Sequence, residues 1–87
     1  MTDNKQQILD SINNLDDNVL AQLARKTPIL RHFRFGHLPP NLQFISRKFA
    51  EVAVFTVVFC PGDDAETHAG LRKILEAKDC AVRSQLA

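Results

Sequence analysis

The sequence predicts an all-α protein, and three observations carry that expectation. Large apolar residues recur at three-and-four spacing in three separate stretches, the pattern of helices buried along one face. Three glycines and four prolines in 87 residues are too few for a turn-rich β fold. The one run that favours a strand, Val52 to Phe59, continues a stripe that starts at Leu42, and no second run offers it a partner. A domain of this length buries only about 60% of its unfolded surface, so its own core is thin and self-association is expected.

The first stripe is Ile8, Ile12, Leu15, Val19 and Leu23, interrupted by Asn13, Asn14, Asp16 and Asp17. It predicts one imperfect helix or two short ones broken near Leu15, with Thr2 or Asp3 as candidate N-caps and Pro28 as the stop. Ile29 to Pro40 mixes Phe33, Phe35, Gly36 and a double proline, a composition that excludes regular helix and predicts an extended arm. Leu42, Ile45, Phe49, Val52, Thr56 and Phe59 then define a helix about five turns long, with Pro39 or Pro40 in its first turn. Phe44, Val54, Phe55, Val57 and Val58 lie off that stripe, so the second half of this helix needs cover on more than one side. Pro61-Gly62 reads as a turn, and Asp63 with Glu66 has the form of a capping box. The helix it opens has Leu71, Ile74, Leu75, Cys80, Ala81, Val82 and Leu86 as its apolar side, opposite Lys73, Glu76 and Arg83.

A short turn between two helices of this length makes an antiparallel helical hairpin. The expected organisation is a single domain, 1–87: an N-terminal helical extension (1–30), an aromatic and basic arm (31–40) and the hairpin (41–87). The hairpin's spare apolar surface is to be covered by the N-terminal helix, by another subunit, or by both.

No apolar stretch approaches the roughly 20 residues that span a bilayer. No secretory signal pattern is visible, so Cys60 and Cys80 are expected as free thiols in a cytoplasm. A net charge of +1 speaks against binding polymeric nucleic acid, yet residues 18–50 carry six basic and no acidic side chains. Catalysis is not expected. Ser11, Ser46 and Ser84 lie in helical contexts without a nucleophile elbow, and His32, His37 and His68 are too scattered for a metal set. No cofactor is implied.

The informative constellation is Arg31-His32-Phe33-Arg34-Phe35-Gly36-His37, in which flat rings alternate with cations. Such a segment suits a nucleotide, because a base stacks on an aromatic face while guanidinium groups take phosphates. The plainer alternative is that Phe33 and Phe35 are plugs docking the arm on the hairpin.

These residues also carry a resemblance. The run Phe33-x-Phe35-Gly36-His37-Leu38-Pro39-Pro40-x-Leu42-Gln43, the Ser46-x-x-Phe49-x-x-x-Ala53 segment, Pro61, and the closing Leu71-Arg-Lys-Ile-Leu-Glu-Ala-Lys-Asp-Cys-Ala-Val-Arg83 resemble the bacteriophage anti-CBASS sponge family. The match runs from Phe33 to Ala87. It implies a non-catalytic protein that sequesters cyclic di- and trinucleotide immune signals in the cytoplasm of an infected bacterial host, so that the effector is never switched on. It further implies a hexamer, a homo-oligomer of hairpins with dinucleotide pockets between protomers and separate trinucleotide sites. Carried over, Phe35 takes the base-stacking role, where the family commonly has Tyr. The family's basic position falls on Ala50, so Arg47 or Lys48 has to substitute from one turn away. With Phe33, Arg34 and His37 these form the expected ligand site, and Arg72 with Lys73 is a candidate second anion site. The rival expectation, from a different class, is an adaptor whose hairpin docks on a host or phage protein.

Overall fold

The computed structural model describes residues 2–60 and 64–86, with five helical elements and no strand among them. In order these are α1 (Thr2–Asn13), α2 (Asp17–Ala24), a 3-10 helix (Pro28–Phe33), α3 (Pro40–Phe59) and α4 (Ala65–Leu86). The break near Leu15 follows from local chemistry. Asn14 turns back on the Asp10 carbonyl through both its backbone N–H (3.0 Å) and its side-chain Nδ2 (2.9 Å). Asp16 then adopts an extended conformation, and its Oδ1 accepts the Val19 N–H at 2.9 Å as the N-cap of α2, a bond worth about 1 kcal/mol. Leu15, between the two helices, is buried. α1 is described from Thr2 onward, and the side chains of the candidate caps Thr2 and Asp3 lie outside what is described.

The extended arm expected over Ile29 to Pro40 is corrected in its first half. Pro28 opens a 3-10 helix whose three-residue turn sends Leu30 and Phe33 into the core and leaves Arg31 and His32 outside. Extended backbone begins only at Arg34. The chain then turns at Gly36 and His37, where the Leu38 N–H donates to the Phe35 carbonyl at 3.1 Å, and this segment is tied down. The Asp17 carboxylate accepts the backbone N–H groups of Phe35 and Gly36, each at 3.0 Å, and Gln43 Nε2 donates to the Leu38 carbonyl at 2.7 Å. A Cβ on Gly36 would lie 2.6 Å from Asp17 Oδ2, so glycine is what allows the carboxylate to clamp this backbone.

α3 starts as expected at the double proline, with Pro39 as N-cap and Pro40 at the first helical position. Its buried face is not the expected stripe. Leu42, Ser46, Ala50, Ala53 and Val54 are buried, whereas Val52 is 51% exposed and Ile45 and Thr56 are only partly covered. Small side chains line this face because α1, the 3-10 helix and α4 all pack on α3. The Ser46 hydroxyl is buried there without a hydrogen-bond partner among the described residues. On α4, Leu71 is buried and Ile74 and Leu75 pack on the core, but Cys80 and Leu86 are exposed, against the expected apolar side.

Residues from every part of the chain share one core, including Ile12, Leu15 and Leu20 from the N-terminal segment, Phe33 and Phe35 from the arm, and Leu71 from α4. The expected turn at Pro61-Gly62 and the Asp63 end of the capping box lie outside the described residues. The observed cap of α4 is Asp64, whose Oδ1 accepts the Thr67 N–H at 2.8 Å. The backbone and side-chain hydrogen bonds from Thr67 hold the Asp64 carboxyl below its ordinary value.

Candidate anion-binding site

A cavity of about 350 Å³ opens between the arm and the C-terminal half of α4. The 3-10 helix supplies Arg31 and His32, the extended Arg34 and the turn at Gly36 and His37 follow, and α4 supplies Lys78 and Arg83, with Asp79 as the single carboxylate. Arg31 and Arg34 are one 3-10 turn apart, so both leave the same side of the arm. Lys78 and Arg83 reach the same cavity from more than one turn of α4.

Lys78 joins the two walls. Its Nζ donates to the His32 carbonyl at 2.9 Å, lies 3.2 Å from Asp79 Oδ1 and stands 6.0 Å from the centre of the Phe33 ring. Its side chain is only 12% exposed, so this ammonium is held in place rather than swung through solvent. Arg83 Nη2 lies 3.5 Å from Cys80 Sγ. Arg31, Arg34 and His37 make no hydrogen bond or ion pair among the described residues. Four cationic side chains against one acid line this hollow, an arrangement whose chemistry suits an anion bearing phosphate or carboxylate groups.

The structure divides the expected ligand residues into groups. Arg34 and His37 line the cavity. Phe33 and Phe35 are 0% and 7% exposed, so both rings are the plugs that dock the arm, and Phe35 presents no open face for stacking in the single chain. Arg47 and Lys48 lie away from the cavity. Arg47 Nε pairs with Glu51 at 3.2 Å while its Nη2 donates to the Asn13 carbonyl at 2.9 Å, fastening the end of α1 to α3. Lys48 Nζ is 3.7 Å from Glu51. Arg72 and Lys73 border a second hollow of about 350 Å³ whose lining residues all belong to α4, with Glu76 beside them.

Lys78 and Arg83 were not marked by the sequence as site residues. Lys78 sits three residues beyond Leu75, on the edge of the packed face, and that position was the available signal. Among the described residues no three His, Cys, Asp or Glu side chains gather to hold a metal ion, and no helix is long and apolar enough to cross a membrane. No known family, curated protein or solved structure matches the chain.

Proposed function

We propose that this protein is a non-catalytic sponge of the bacteriophage anti-CBASS kind, which binds cyclic di- and trinucleotide signals in an infected bacterial host and withholds them from their effector. The observation that supports this reading is the cationic cavity between arm and α4. Arg31 and Arg83 take the phosphates, and Lys78 fixes the positive field behind them. Because Phe35 is buried, the base lies on the planes of Arg34 and the imidazole of His37, groups on which nucleobases stack as they do on aromatic rings. A site of about 350 Å³ is at the small end of ligand pockets and encloses part of a cyclic dinucleotide. In this reading α3 and α4 form the hairpin of a hexamer, and a neighbouring protomer covers the remainder. Arg72 and Lys73 are the candidates for the separate trinucleotide site.

Affinity is the whole mechanism. Holding free signal below an effector's threshold needs a nanomolar dissociation constant, about 12 kcal/mol, and stoichiometric amounts of protein. The cavity walls are fixed by the Asp17 clamp and by Lys78, which lowers the ordering cost of binding.

The test is calorimetric titration with a panel of cyclic di- and trinucleotides, followed by heat denaturation and chromatography of the released ligand. Tight binding, intact ligand and a loss of at least about tenfold in affinity for Arg34→Glu are the expected results. Intact binding by Arg31→Glu/Arg34→Glu would remove the ligand from this cavity. No binding across the panel discards the sponge and favours the adaptor, whose supporting observation is the apolar outward face of α3.

A further inference from the structure

α3 carries large apolar side chains on the side away from the core as well as on the packed side. At about 100° per residue, Ser46, Ala50 and Ala53 point into the core, while Phe44, Lys48, Glu51 and Phe55 point the other way. The outward side carries Phe44 at 70% and Phe55 at 48% exposure, with Val52 on its flank and the Phe59 ring tilted against Phe55 at a centroid distance of 4.6 Å. Scattered apolar residues on a surface need no explanation, but a stripe of large ones along a helix facing away from the core marks a contact surface.

The order of residues along that face selects the occupant. Phe44, Lys48, Glu51 and Phe55 are spaced four, three and four, so the pattern read from the opposite end is again ring, charge, charge, ring, with the two charges exchanged. A face of this kind is complementary to itself about a twofold axis. We propose that the outward face of α3 pairs antiparallel with the same face of a second copy of this chain, the axis passing near the level of Phe49 and Ala50. Phe44 then meets the partner's Phe55 at each end, the two ring clusters standing about 16 Å apart along the helix. Between them Lys48 faces the partner's Glu51, twice. Within the single chain Glu51 already draws Arg47 and Lys48, and Arg47 also holds the Asn13 carbonyl, so Lys48, the more exposed of the two, is the cation available to a neighbour. An acidic partner would set like charge against Glu51, whereas a second copy sets an opposite charge against both Lys48 and Glu51.

This inference deepens the oligomeric part of the proposed function and rests on that part alone, since no residue of the cationic cavity belongs to the face. The experiment is solution mass by sedimentation and light scattering across a concentration series, with helicity checked by circular dichroism. The wild type is expected to reach at least twice the mass of one chain. Phe55→Glu, or Phe44→Gln should the first unfold, is expected to cut that mass by half, because a twofold face joins copies in pairs. Lys48→Glu and Glu51→Lys, each alone, set like charges against each other and should weaken association at least about tenfold. Mixed one to one, the two variants should recover it, because opposite charges then meet between chains though neither chain has its own ion pair. A wild type that stays at the single-chain mass, or charge variants that associate as the wild type does and gain nothing on mixing, overturns the proposal. Nucleotide binding by a single-chain protein would sink this interface and leave the sponge standing; association without nucleotide binding would do the reverse.

Discussion

Phe33 and Phe35 lie on a charged arm and are 0% and 7% exposed, whereas Phe44 and Phe55 lie on the most apolar helix and are 70% and 48% exposed. The difference is one of position in the packing and not of local hydrophobicity. The 3-10 turn of the arm points Leu30 and Phe33 inward and leaves Arg31 outside, and the Asp17 clamp on the next residues holds Phe35 in the core with Arg34 exposed. α3 has only one side on the core, and where three neighbours crowd that side it is lined by Ser46, Ala50 and Ala53, with Leu42, Val54 and Phe49 packed around them and Phe44 and Phe55 turned outward.

The largest effect expected from this contrast is between two rings of the same kind. Phe33→Ala should cost about 3–5 kcal/mol, since the vacated space is enclosed on all sides. Phe44→Ala, in urea denaturation at concentrations where chains are unpaired, should stay within about 0.5 kcal/mol. Comparable losses for the two would erase the distinction drawn between arm and helix.

A smaller effect is expected at the clamp that holds the arm in place. Asp17→Ala removes the acceptor of two backbone N–H groups and should cost about 2 kcal/mol. Gly36→Ala pushes the same carboxylate away, so the double variant should lose clearly less than the sum of the singles. Strict additivity would mean that Gly36 matters for some reason other than Asp17.

The smallest effect, and of opposite sign, belongs to the inner face of α3. Ser46→Ala removes a buried hydroxyl that has no partner among the described residues, so it should be neutral or stabilising by up to about 1 kcal/mol. A loss above 1 kcal/mol in thermal or chemical denaturation would show that the hydroxyl is satisfied in solution.

Much of the fold was legible because it depends on near neighbours in the chain. Asn13, Asn14 and Asp16 break a helix wherever they compete with its backbone, and Pro39-Pro40 can begin one but not continue one. The 3-10 turn at Pro28–Phe33 was less legible, because three-residue spacing of Leu30 and Phe33 is too short a run to distinguish from an extended segment. The candidate site was half legible. Arg34 and His37 stand out beside each other in sequence, but Lys78 and Arg83 lie more than 40 residues away and join them only when α4 packs against the arm.

By itself the sequence determined what local forces control: an all-helical chain, the break near Leu15, the start of α3, and a basic stretch free of acids between residues 18 and 50. Tertiary structure alone decided which side of α3 faces inward, that both rings of the arm are buried, and which cations meet around one cavity. The physical reason is that hydrophobicity marks a residue as able to be buried, while the volume left between packed elements determines which of the able residues fit.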